Sequence, residues 1–531
     1  MSFVITQRCC NDASCVTECP VDCIRPRPDD PEYATTEMLY IDPDTCIDCG
    51  ACVDACPVGA IYSDYDLPAS YERYLDINRG YFERYPLEFD PEVAAPSAPR
   101  RLPEELGTLR VAIVGSGPAG CYAAEQLLRH GTVEVEIFDR LATPWGLVRA
   151  GVAPDHPETK RVADGFAVAF KTDALRFHLN VEVGKHISLD ELRAHHHAVI
   201  FAVGASSDRR LDIPGEDLPG SHPATEFVAW YNGHPDHADL RVDLSGERAV
   251  IVGNGNVALD VARVLTLAPD DLATTDIADH ALEALRNSGI REVVVLGRRG
   301  PAQAAYTSSE FLALGDLPGV DVVIEDEVPD VESDVEPAVA LKTELAQEYA
   351  ATPASGASRR IVFRYLASPV EYRGSDRVES VEIVHNELDD HLSAVPTDRT
   401  ETLDASLVLR SVGYRGEPIA DLPFDHARGV VPNEQGRVVD VPGLYVTGWI
   451  KRGPRGVIGT NRVDSAETVA AVLADFESGA LPGPDGDGED LLDLVTQRQP
   501  AVVDKAGWAE IDAAERAAGA AVGRPRIKRV R

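Results

Sequence analysis

Four cysteines near the N-terminus have a spacing that suits iron. Cys46, Cys49, Cys52 and Cys56 follow the pattern C-x₂-C-x₂-C-x₃-C, and Pro57 comes next. In two-cluster iron–sulfur proteins, the first three thiolates of such a run bind one cluster and the fourth binds the other. A zinc site usually has two C-x₂-C pairs separated by a longer loop, which this spacing does not fit. The run therefore predicts iron–sulfur clusters.

An earlier set of residues fits the same template with one exception. Cys9, Cys15 and Cys19 occupy the first, third and fourth ligand positions, and Asp12 occupies the second. A carboxylate can bind iron, but it is a harder donor than a thiolate and holds the metal less firmly. This set therefore predicts one cluster position with an oxygen ligand or with a vacancy.

The crossed arrangement divides the ligands between two clusters. One [4Fe–4S] cluster is expected on Cys19, Cys46, Cys49 and Cys52. The other cluster is left with Cys9, Cys15, Cys56 and Asp12. Three thiolates suit a [3Fe–4S] cluster, so we expect either that type or a labile [4Fe–4S] cluster there.

A glycine-rich turn at Gly115, Gly117 and Gly120 predicts a dinucleotide site. It follows an apolar strand and opens a helix, and a second strand ends at Asp139. Such glycines let the backbone approach a pyrophosphate, whose charge faces the N-terminus of the helix. The acid at the end of the second strand is expected to bind the adenosine ribose.

A second glycine-rich turn, residues 253–258, repeats this pattern with a different ending. Gly297 stands where the acid would be, and Arg298 and Arg299 follow it. Two guanidinium groups can make bidentate bonds to a 2′-phosphate. The pair favours NADP over NAD, so the two turns together indicate FAD and NADP.

The elements that position these residues belong to a large acidic chain. Its 531 residues suit several domains, and the net charge of −38 argues against nucleic acid as a partner. Residues 1–90 carry 18 acidic and 6 basic side chains. This excess fits a solubility surface or a salt-adapted proteome, or else an acidic docking face for a basic partner. The basic end RPRIKRVR is expected to be solvated.

No secretion signal or membrane span is visible in the sequence, so we expect a cytoplasmic protein. In that compartment paired cysteines serve more often as ligands or catalysts than as disulfides. This expectation agrees with the iron–sulfur prediction.

Residues 2–67 resemble the seven-iron type of bacterial ferredoxin. The matching stretches include FVITQRC, CPVDC and MLYIDPDTCIDCGACVDACPVGAIY. The chain departs from that pattern in the close spacing of its first cysteines and in PRPDDPEYATTE, which lengthens the loop before Met38. Cys23 stands where such ferredoxins carry a cysteine that is not a ligand, and we expect Cys10 and Cys23 to be buried thiols.

Residues 109–480 resemble the adrenodoxin-reductase type of ferredoxin–NADP reductase. The matching stretches, in collinear order, include VAIVGSGPAGCYAAEQLL, PWGLVRAGVAPDHPETK, IVGNGNVALDVARVL, GRRGPAQAAYTSSEF and GWIKRGPRGVIGTN. The whole chain is similar to the actinobacterial fusion of a ferredoxin with this reductase.

The resemblance implies roles for individual residues. It implies FAD contacts at Ala119, Asp139, Leu147, Val183, Trp449, Gly456, Val457 and Ile458. It implies NADP contacts at Asn254, Gly255, Asn256, Val257, Arg298, Arg299 and Glu310. His156 and Asp260 match positions near the flavin and are taken as the candidate catalytic residues.

The expected fold is an α+β ferredoxin domain followed by an α/β flavoprotein with paired Rossmann-like domains. The ferredoxin is assigned to residues 1–90, a linker to 91–108 and a C-terminal helical tail to 481–531. The FAD domain is discontinuous, with a first part at 109–208 and a second part at 420–480. The NADP domain lies between them at 209–419.

The resemblance implies an enzyme, a ferredoxin–NADP⁺ reductase, that moves electrons between NADPH, FAD and the clusters. Its expected partners are NADPH or NADP⁺, its own ferredoxin domain, and a free ferredoxin or a downstream redox enzyme. One alternative is an electron-input subunit of the glutamate synthase small-chain kind. Another is a redox-sensing interaction protein.

Overall fold

Two short antiparallel sheets form the N-terminal module of the computed structural model, which describes residues 2–87, 101–331, 335–486 and 488–530. Strand Phe3–Ile5 pairs with Ile61–Ser63, and Ile24–Arg25 pairs with Tyr40–Ile41. The helices and 3₁₀ turns of this module are Ser14–Glu18, Pro31–Ala34, Ala51–Ala55, Ala69–Tyr71 and Arg73–Arg84. This is the α+β arrangement that the sequence predicts for the ferredoxin.

The helix Arg73–Arg84 closes the module. Asn78 is buried, and its side chain accepts from the backbone N–H groups of Ile5 and Ile41 and donates to the carbonyl of Ile5. Tyr81 stacks on Tyr40 with ring centroids 4.3 Å apart. The helix therefore belongs to the ferredoxin core, although it lies beyond the stretch that resembles ferredoxins.

A seven-stranded sheet forms the first α/β domain. Its strands, in spatial order, are Asn433–Glu434, Arg437–Val438, Leu444–Val446, Ala198–Phe201, Leu109–Val114, Val133–Asp139 and Leu175–Leu179. The last five are parallel, and the first two pair in antiparallel fashion. The helices and 3₁₀ turn of this domain are Glu104–Leu106, Pro118–Leu128, Leu147–Ala150, Pro157–Lys160, Val162–Ala169, Leu189–His195, Trp449–Arg452 and Thr460–Glu477.

A six-stranded parallel sheet forms the second α/β domain. Its strands, in spatial order, are Ser221–Pro223, Leu407–Arg410, Arg248–Val252, Glu292–Leu296, Arg359–Arg364 and Val320–Ile324. Its helices and 3₁₀ turns are Ala224–Tyr231, Pro235–His237, Asn256–Thr266, Pro269–Leu272, Asp279–Arg286, Pro301–Gln303, Ser308–Ala313, Leu314–Asp316 and Pro337–Ala351. A separate antiparallel sheet packs on it and consists of Ala367–Arg373, Ser380–Leu388 and Ala394–Asp404.

The central strands of both sheets are buried on both faces. Val111, Ala112 and Ile113 are fully buried, as are Ala249, Val250 and Ile251. Such continuous apolar strands are typical of parallel sheets covered by helices on both sides. Among the described helices, none combines the length and the apolar character that a membrane crossing requires.

The chain crosses between the two α/β domains twice, and the crossings pair with each other. Ser207–Asp208 runs antiparallel to Tyr414–Arg415. The predicted boundaries at 208/209 and 419/420 lie beside this two-stranded link. The predicted linker falls mostly outside the described residues, but Leu102 is buried in the core of the first α/β domain.

The C-terminal tail contains the helices Gly488–Arg498 and Lys505–Ala520. The expectation that its basic end is solvated is wrong. Lys528 is buried and lies 3.0 Å from Asp276 of the second α/β domain, while its ammonium donates to the carbonyl of Arg149 in the first. Arg524 pairs with Asp279 at 2.6 Å. The basic end joins the two domains because the buried carboxylate of Asp276 needs a positive partner.

Candidate redox site

Five cysteine side chains of the ferredoxin module line one small pocket. They are Cys19, Cys23, Cys46, Cys49 and Cys52, and the remaining lining consists of Phe3, Val21, Ile24, Ile41 and Ile47. Four of these thiols are the ones expected on the [4Fe–4S] cluster. Thiols around an otherwise apolar cavity fit an iron–sulfur cluster.

The other expected ligands meet at a second place in the module. Cys9, Cys15, Cys56 and Asp12 are close enough to interact electrostatically. The backbone N–H of Leu39 lies 3.5 Å from the Cys9 sulfur, and that of Ala60 lies 3.2 Å from the Cys56 sulfur. Such N–H groups stabilise thiolates. Burial raises the pKa of the free Cys9 thiol to about 12, and metal coordination would remove that proton.

Asp12 occupies the backbone position that Cys49 occupies in the second repeat. The residues before them, Asn11 and Asp48, have φ angles of 55° and 57°. The residues after them, Ala13 and Gly50, have φ angles of 58° and 77°. The two loops therefore share one conformation, and a carboxylate stands at the position of a thiolate.

The Asp12 carboxylate already has protein partners. It accepts hydrogen bonds from the backbone N–H of Ser14 at 3.1 Å and from the Ser14 hydroxyl at 2.6 Å. Arg462 lies 3.6 Å from the same carboxylate and donates to the Asp12 carbonyl at 3.0 Å. These bonds satisfy the carboxylate without iron.

Close backbone contacts build the first glycine-rich turn. Gly115 has φ 106°, and a Cβ there would lie 2.5 Å from the carbonyl oxygen of Ala202. A Cβ at Gly120 would lie 2.1 Å from the carbonyl oxygen of Gly115. Gly117 precedes the helix Pro118–Leu128. Only glycine fits the two crowded positions, and the N-terminus of the helix stays open to a phosphate.

Asp139 ends its strand as predicted, and both oxygens of its carboxylate accept hydrogen bonds from the protein. One oxygen accepts from the Ser116 backbone N–H at 2.8 Å and from the Ser116 hydroxyl at 2.6 Å. The other accepts from the Leu141 N–H at 2.9 Å. These bonds hold the turn in shape, and the contact with a ribose remains a prediction.

The expected flavin loop lies against this turn. A Cβ at Gly448 would come within 2.6 Å of the Ala119 Cβ, so this loop approaches the helix as closely as a glycine allows. Trp449 lies 5.1 Å from Tyr414, measured between ring centroids. Gly456 has φ 81°, and Thr460 accepts from the Val457 N–H at 3.1 Å.

The other expected FAD contacts lie at the edges of the same domain. Leu147 opens the helix Leu147–Ala150 and is 41% exposed, which leaves its side chain available to a ligand. Ile458 packs partly against the domain core. Val183 pairs with Ile187 in a single bridge and packs on another part of the domain.

The second glycine-rich turn has the same construction. A Cβ at Gly253, φ 107°, would lie 2.2 Å from the carbonyl oxygen of Ser411, and Gly255 precedes the helix Asn256–Thr266. Asn256 accepts from the Thr307 N–H at 2.8 Å. The backbone carbonyl of Asn254 accepts a hydrogen bond from the Tyr306 N–H at 2.9 Å. The expected NADP segment is thereby joined to the loop that leads to Glu310, and Val257 packs partly against the core.

The strand end after this turn carries two arginines and no acid. A Cβ at Gly297 would lie 2.6 Å from the Asn254 amide nitrogen, so a larger residue there would have to displace that side chain. Arg298 is exposed and Arg299 is half-buried, and within the described ranges neither forms an ion pair. Two uncompensated guanidinium groups can therefore face an anion.

A half-buried charge cluster lies where the two α/β domains meet. His156, Asp260 and Glu310 bring their polar atoms within 4.8 Å of one another. Arg263 lies among them and bonds to Asp155 and Asp260 at 2.8 Å each and to Glu310 at 3.1 Å. The guanidinium compensates the carboxylates, which makes this an ion-pair cluster rather than a metal site.

Burial and Arg263 set the protonation of this cluster. Burial raises the pKa of Asp260 and of Glu310. Burial and the Arg263 charge lower the pKa of His156, so the imidazole is neutral at pH 7. Burial acts against ionisation of Asp155, but Arg263 lowers its pKa to about 2.

The ferredoxin module lies on both α/β domains beside this cluster. Gln7 hydrogen-bonds to Glu310, and the Gly459 N–H donates to the Cys10 carbonyl at 2.8 Å. Glu37 accepts from Lys342 at 2.7 Å and from the Ser308 N–H at 2.6 Å. The loops of the ferredoxin module that carry the expected iron ligands therefore lie against the expected flavin loop, and Glu37 lies against the expected NADP segment.

Several of these residues could not be assigned a role from the sequence. Arg263 had a visible signal, since it follows Asp260 by three positions in an otherwise apolar helix. The roles of Arg462 and Lys342 had no local signal, because their partners lie hundreds of positions away in the chain. The departure of PRPDDPEYATTE from ferredoxins was the one hint at Glu37.

Comparison with known proteins identifies both parts of the chain. Residues 39–62 match the family of 4Fe-4S binding domains, and residues 109–351 match the pyridine nucleotide-disulphide oxidoreductases. A protein of Mycobacterium tuberculosis described as a probable ferredoxin/ferredoxin–NADP reductase is 50% identical over 99% of this chain and 93% of its own length. The corresponding protein of Mycobacterium leprae is 49% identical over 99% of this chain and 96% of its own length.

A solved structure agrees with the fold of the reductase part. The structure of FprA from Mycobacterium tuberculosis in complex with NADPH superimposes with a TM-score of 0.77 at 47% identity, over 80% of this chain and 97% of FprA. The predicted fold, an α+β ferredoxin domain followed by paired α/β dinucleotide domains, is confirmed. The chain belongs to the family of ferredoxin/ferredoxin–NADP reductases.

Proposed function

We propose that this protein is an NADPH-dependent ferredoxin reductase that works on its own ferredoxin domain. FAD, when bound, exchanges hydride with NADPH and electrons with iron–sulfur clusters, which change by one electron at a time. The NADPH complex of FprA supports the choice of nucleotide. Cluster-bound thiolates suit the reducing cytoplasm, where we expect the protein to act.

The two glycine-rich turns divide the nucleotides. The first turn and the loops 447–459 and 145–147 would hold FAD, with Asp139 and Trp449 at its adenosine and ring ends. The second turn, with Arg298 and Arg299, would hold NADP. His156 and Asp260 would lie at the junction, where a neutral imidazole and a shielded carboxylate keep the charge next to the ring small.

The chain's residues favour a [3Fe–4S] cluster in the first cluster position. Cys9, Cys15 and Cys56 are the thiols there, and the Asp12 carboxylate is bonded to Ser14 and faces Arg462. Four of the five thiols at the second position are the expected ligands, which suits a [4Fe–4S] cluster. Asp12 then serves as a loop anchor and not as an iron ligand.

One observation carries the proposal of internal electron transfer. The loop Cys10–Ser14 touches the flavin domain at Gly459, where a Cβ would lie 2.2 Å from the Asp12 nitrogen. An electron carrier docked so closely at the expected flavin loop needs no diffusion step. A redox sensor or an input subunit for another enzyme has no need of this contact.

The nucleotide assignment is tested by steady-state oxidation of NADPH and NADH with ferricyanide as the acceptor. Charge-assisted hydrogen bonds contribute about 1.5–3 kcal/mol each. We expect R298A/R299A to raise the KM for NADPH about 100-fold, with little change in kcat or in the activity with NADH. R291A is the matched control, because Arg291 precedes the opposite end of the same strand. Equal losses with both nucleotides would contradict the assignment.

A further inference from the structure

The two cluster positions have different surroundings, and the difference indicates an order of electron transfer. Among the residues that the structure describes, those that line the second position all belong to the ferredoxin module. Cys49 is exposed there, and the neighbouring Ile47 is 58% exposed. This position lies toward solvent.

The first position touches the reductase on two sides. The Cys10 carbonyl accepts from the Gly459 N–H, and Gly59, three residues after Cys56, has the Arg161 side chain 3.5 Å from where its Cβ would be. Tyr122, on the helix that follows the first glycine-rich turn, lies within electrostatic range of Cys10 and Asp12. This position lies toward the flavin domain.

Arg462 joins the first position to the start of the helix Thr460–Glu477. Its guanidinium donates to the Asp12 carbonyl and to the Ser14 hydroxyl, and it lies 3.6 Å from the Asp12 carboxylate. Asp12 stands at the position of the missing thiolate, and Ser14 donates to the Asp12 carboxylate. Arg462 therefore holds the incomplete corner of the first cluster position against the flavin loop.

We propose that the cluster on Cys9, Cys15 and Cys56 exchanges electrons with the flavin and relays them to the cluster on Cys19, Cys46, Cys49 and Cys52, and that Arg462 is the positioning residue for this transfer. One NADPH supplies a hydride, which carries two electrons. When both pass through the first cluster, each cluster gains one electron, and NADP⁺ and one proton remain. This inference rests on the proposed function.

The test follows both clusters after the full-length holoprotein is mixed anaerobically with NADPH. Samples are frozen at successive times, and EPR and Mössbauer spectra distinguish the clusters whatever their iron content. Flavin bleaching is recorded in the same mixtures. In the wild type, we expect reduction of the first cluster to precede that of the second.

Three variants distinguish the Arg462 contact with Asp12 from the other contacts between the ferredoxin module and the reductase. R462Q removes the guanidinium at Asp12 and is expected to slow reduction of the first cluster about tenfold, equivalent to ~1.4 kcal/mol. R462K should restore much of the rate. R73Q removes a different interdomain pair, Arg73–Glu348 at 2.7 Å, and should change the rate less than twofold. R462Q should also alter the spectrum of the first cluster and not that of the second.

The outcomes distinguish a failure of the proposed function from a failure of the proposed order of electron transfer. Absence of flavin bleaching in the wild type would contradict the proposed function itself. Bleaching followed by reduction of the second cluster before the first would overturn the order, and so would equal rates for R462Q and wild type. Equal slowing in R462Q and R73Q would overturn the role of Arg462. The wild-type order tests the relay even if one variant does not fold.

Discussion

The repeats Cys9–Pro20 and Cys46–Pro57 share a backbone and differ in their surroundings. Both carry a left-handed residue on each side of the second ligand position. In the second repeat that position is Cys49, which is exposed. In the first repeat it is Asp12, which is buried under Gly459 and Arg462.

The residue type at the second ligand position thus differs together with its location in the assembly. The corner that faces solvent keeps its thiolate. The corner that touches the reductase carries a carboxylate. A carboxylate has two oxygens that can bond to a guanidinium, whereas a thiolate has a single sulfur. We propose that the protein uses one corner for iron and the equivalent corner for docking.

Asp12→Cys would make the first repeat equal to the second, and it has the largest expected effect. A fourth thiolate should convert the first cluster into a [4Fe–4S] cluster, with about eight iron atoms per chain instead of about seven. Iron analysis and loss of the three-iron EPR signal measure this change. D12N is the control, since it removes the carboxylate without adding a thiolate and should leave the three-iron signal in place. An unchanged signal in D12C would contradict the crossed ligand assignment.

Cys49→Asp is the reverse change and should have the next largest effect. Since Cys49 is exposed, the new carboxylate can remain solvated, and the second cluster should lose its fourth iron or bind it weakly. We expect about six iron atoms per chain and a second three-iron EPR signal. D44N, at an exposed position in the same loop region, should leave both clusters unchanged. Retention of a stable four-iron cluster in C49D would show that Cys49 is not a ligand.

Glu37→Gln sharpens the comparison by weakening the interface on the NADP side. Lys342 is 7% exposed, and Glu37 is its carboxylate partner at 2.7 Å. Loss of a hydrogen bond to a charged group costs roughly 1.5–3 kcal/mol, so we expect cluster reduction by NADPH to slow about tenfold while flavin bleaching keeps its rate. Rapid mixing with absorbance detection measures both. D29N, in the same loop but exposed, should behave as wild type, and an equal effect of D29N would contradict a specific role for Glu37.

Arg73→Gln should have the smallest effect. The Arg73 and Glu348 side chains are 33% and 52% exposed, and solvent-exposed pairs contribute about 0–1 kcal/mol. We expect less than a twofold change in cluster reduction, decreasing further at high salt. A decrease in the rate of cluster reduction as large as that of E37Q would mean that the whole interface acts as one unit. The contacts at Asp12 and Glu37 would then have no special role compared with the exposed Arg73–Glu348 pair.

Local patterns in the sequence predicted the fold and the chemical types well. Cysteine spacing indicated iron–sulfur clusters, and the strand–turn–helix pattern around Gly115 and Gly253 indicated paired dinucleotide domains. These signals are local because a cluster loop or a pyrophosphate turn is built from about ten consecutive residues. The presence of Asp12 at a ligand position was equally visible.

The contacts that assemble the domains could not be predicted. Asp12 meets Arg462 across 450 positions, and Lys528 was expected in solvent although it is buried beside Asp276. Such pairings depend on how whole domains pack, and neither residue type nor spacing records that. The sequence could therefore give the parts of the electron path but not their order.

The most direct test of internal electron transfer is an EPR spectrum of the anaerobically purified protein before and after addition of NADPH. The account predicts an oxidised three-iron signal that disappears on addition of NADPH, because the first cluster lies against the flavin loop at Gly459. If the flavin bleaches while the clusters stay oxidised, NADPH does not reduce the ferredoxin domain, and the central claim is wrong.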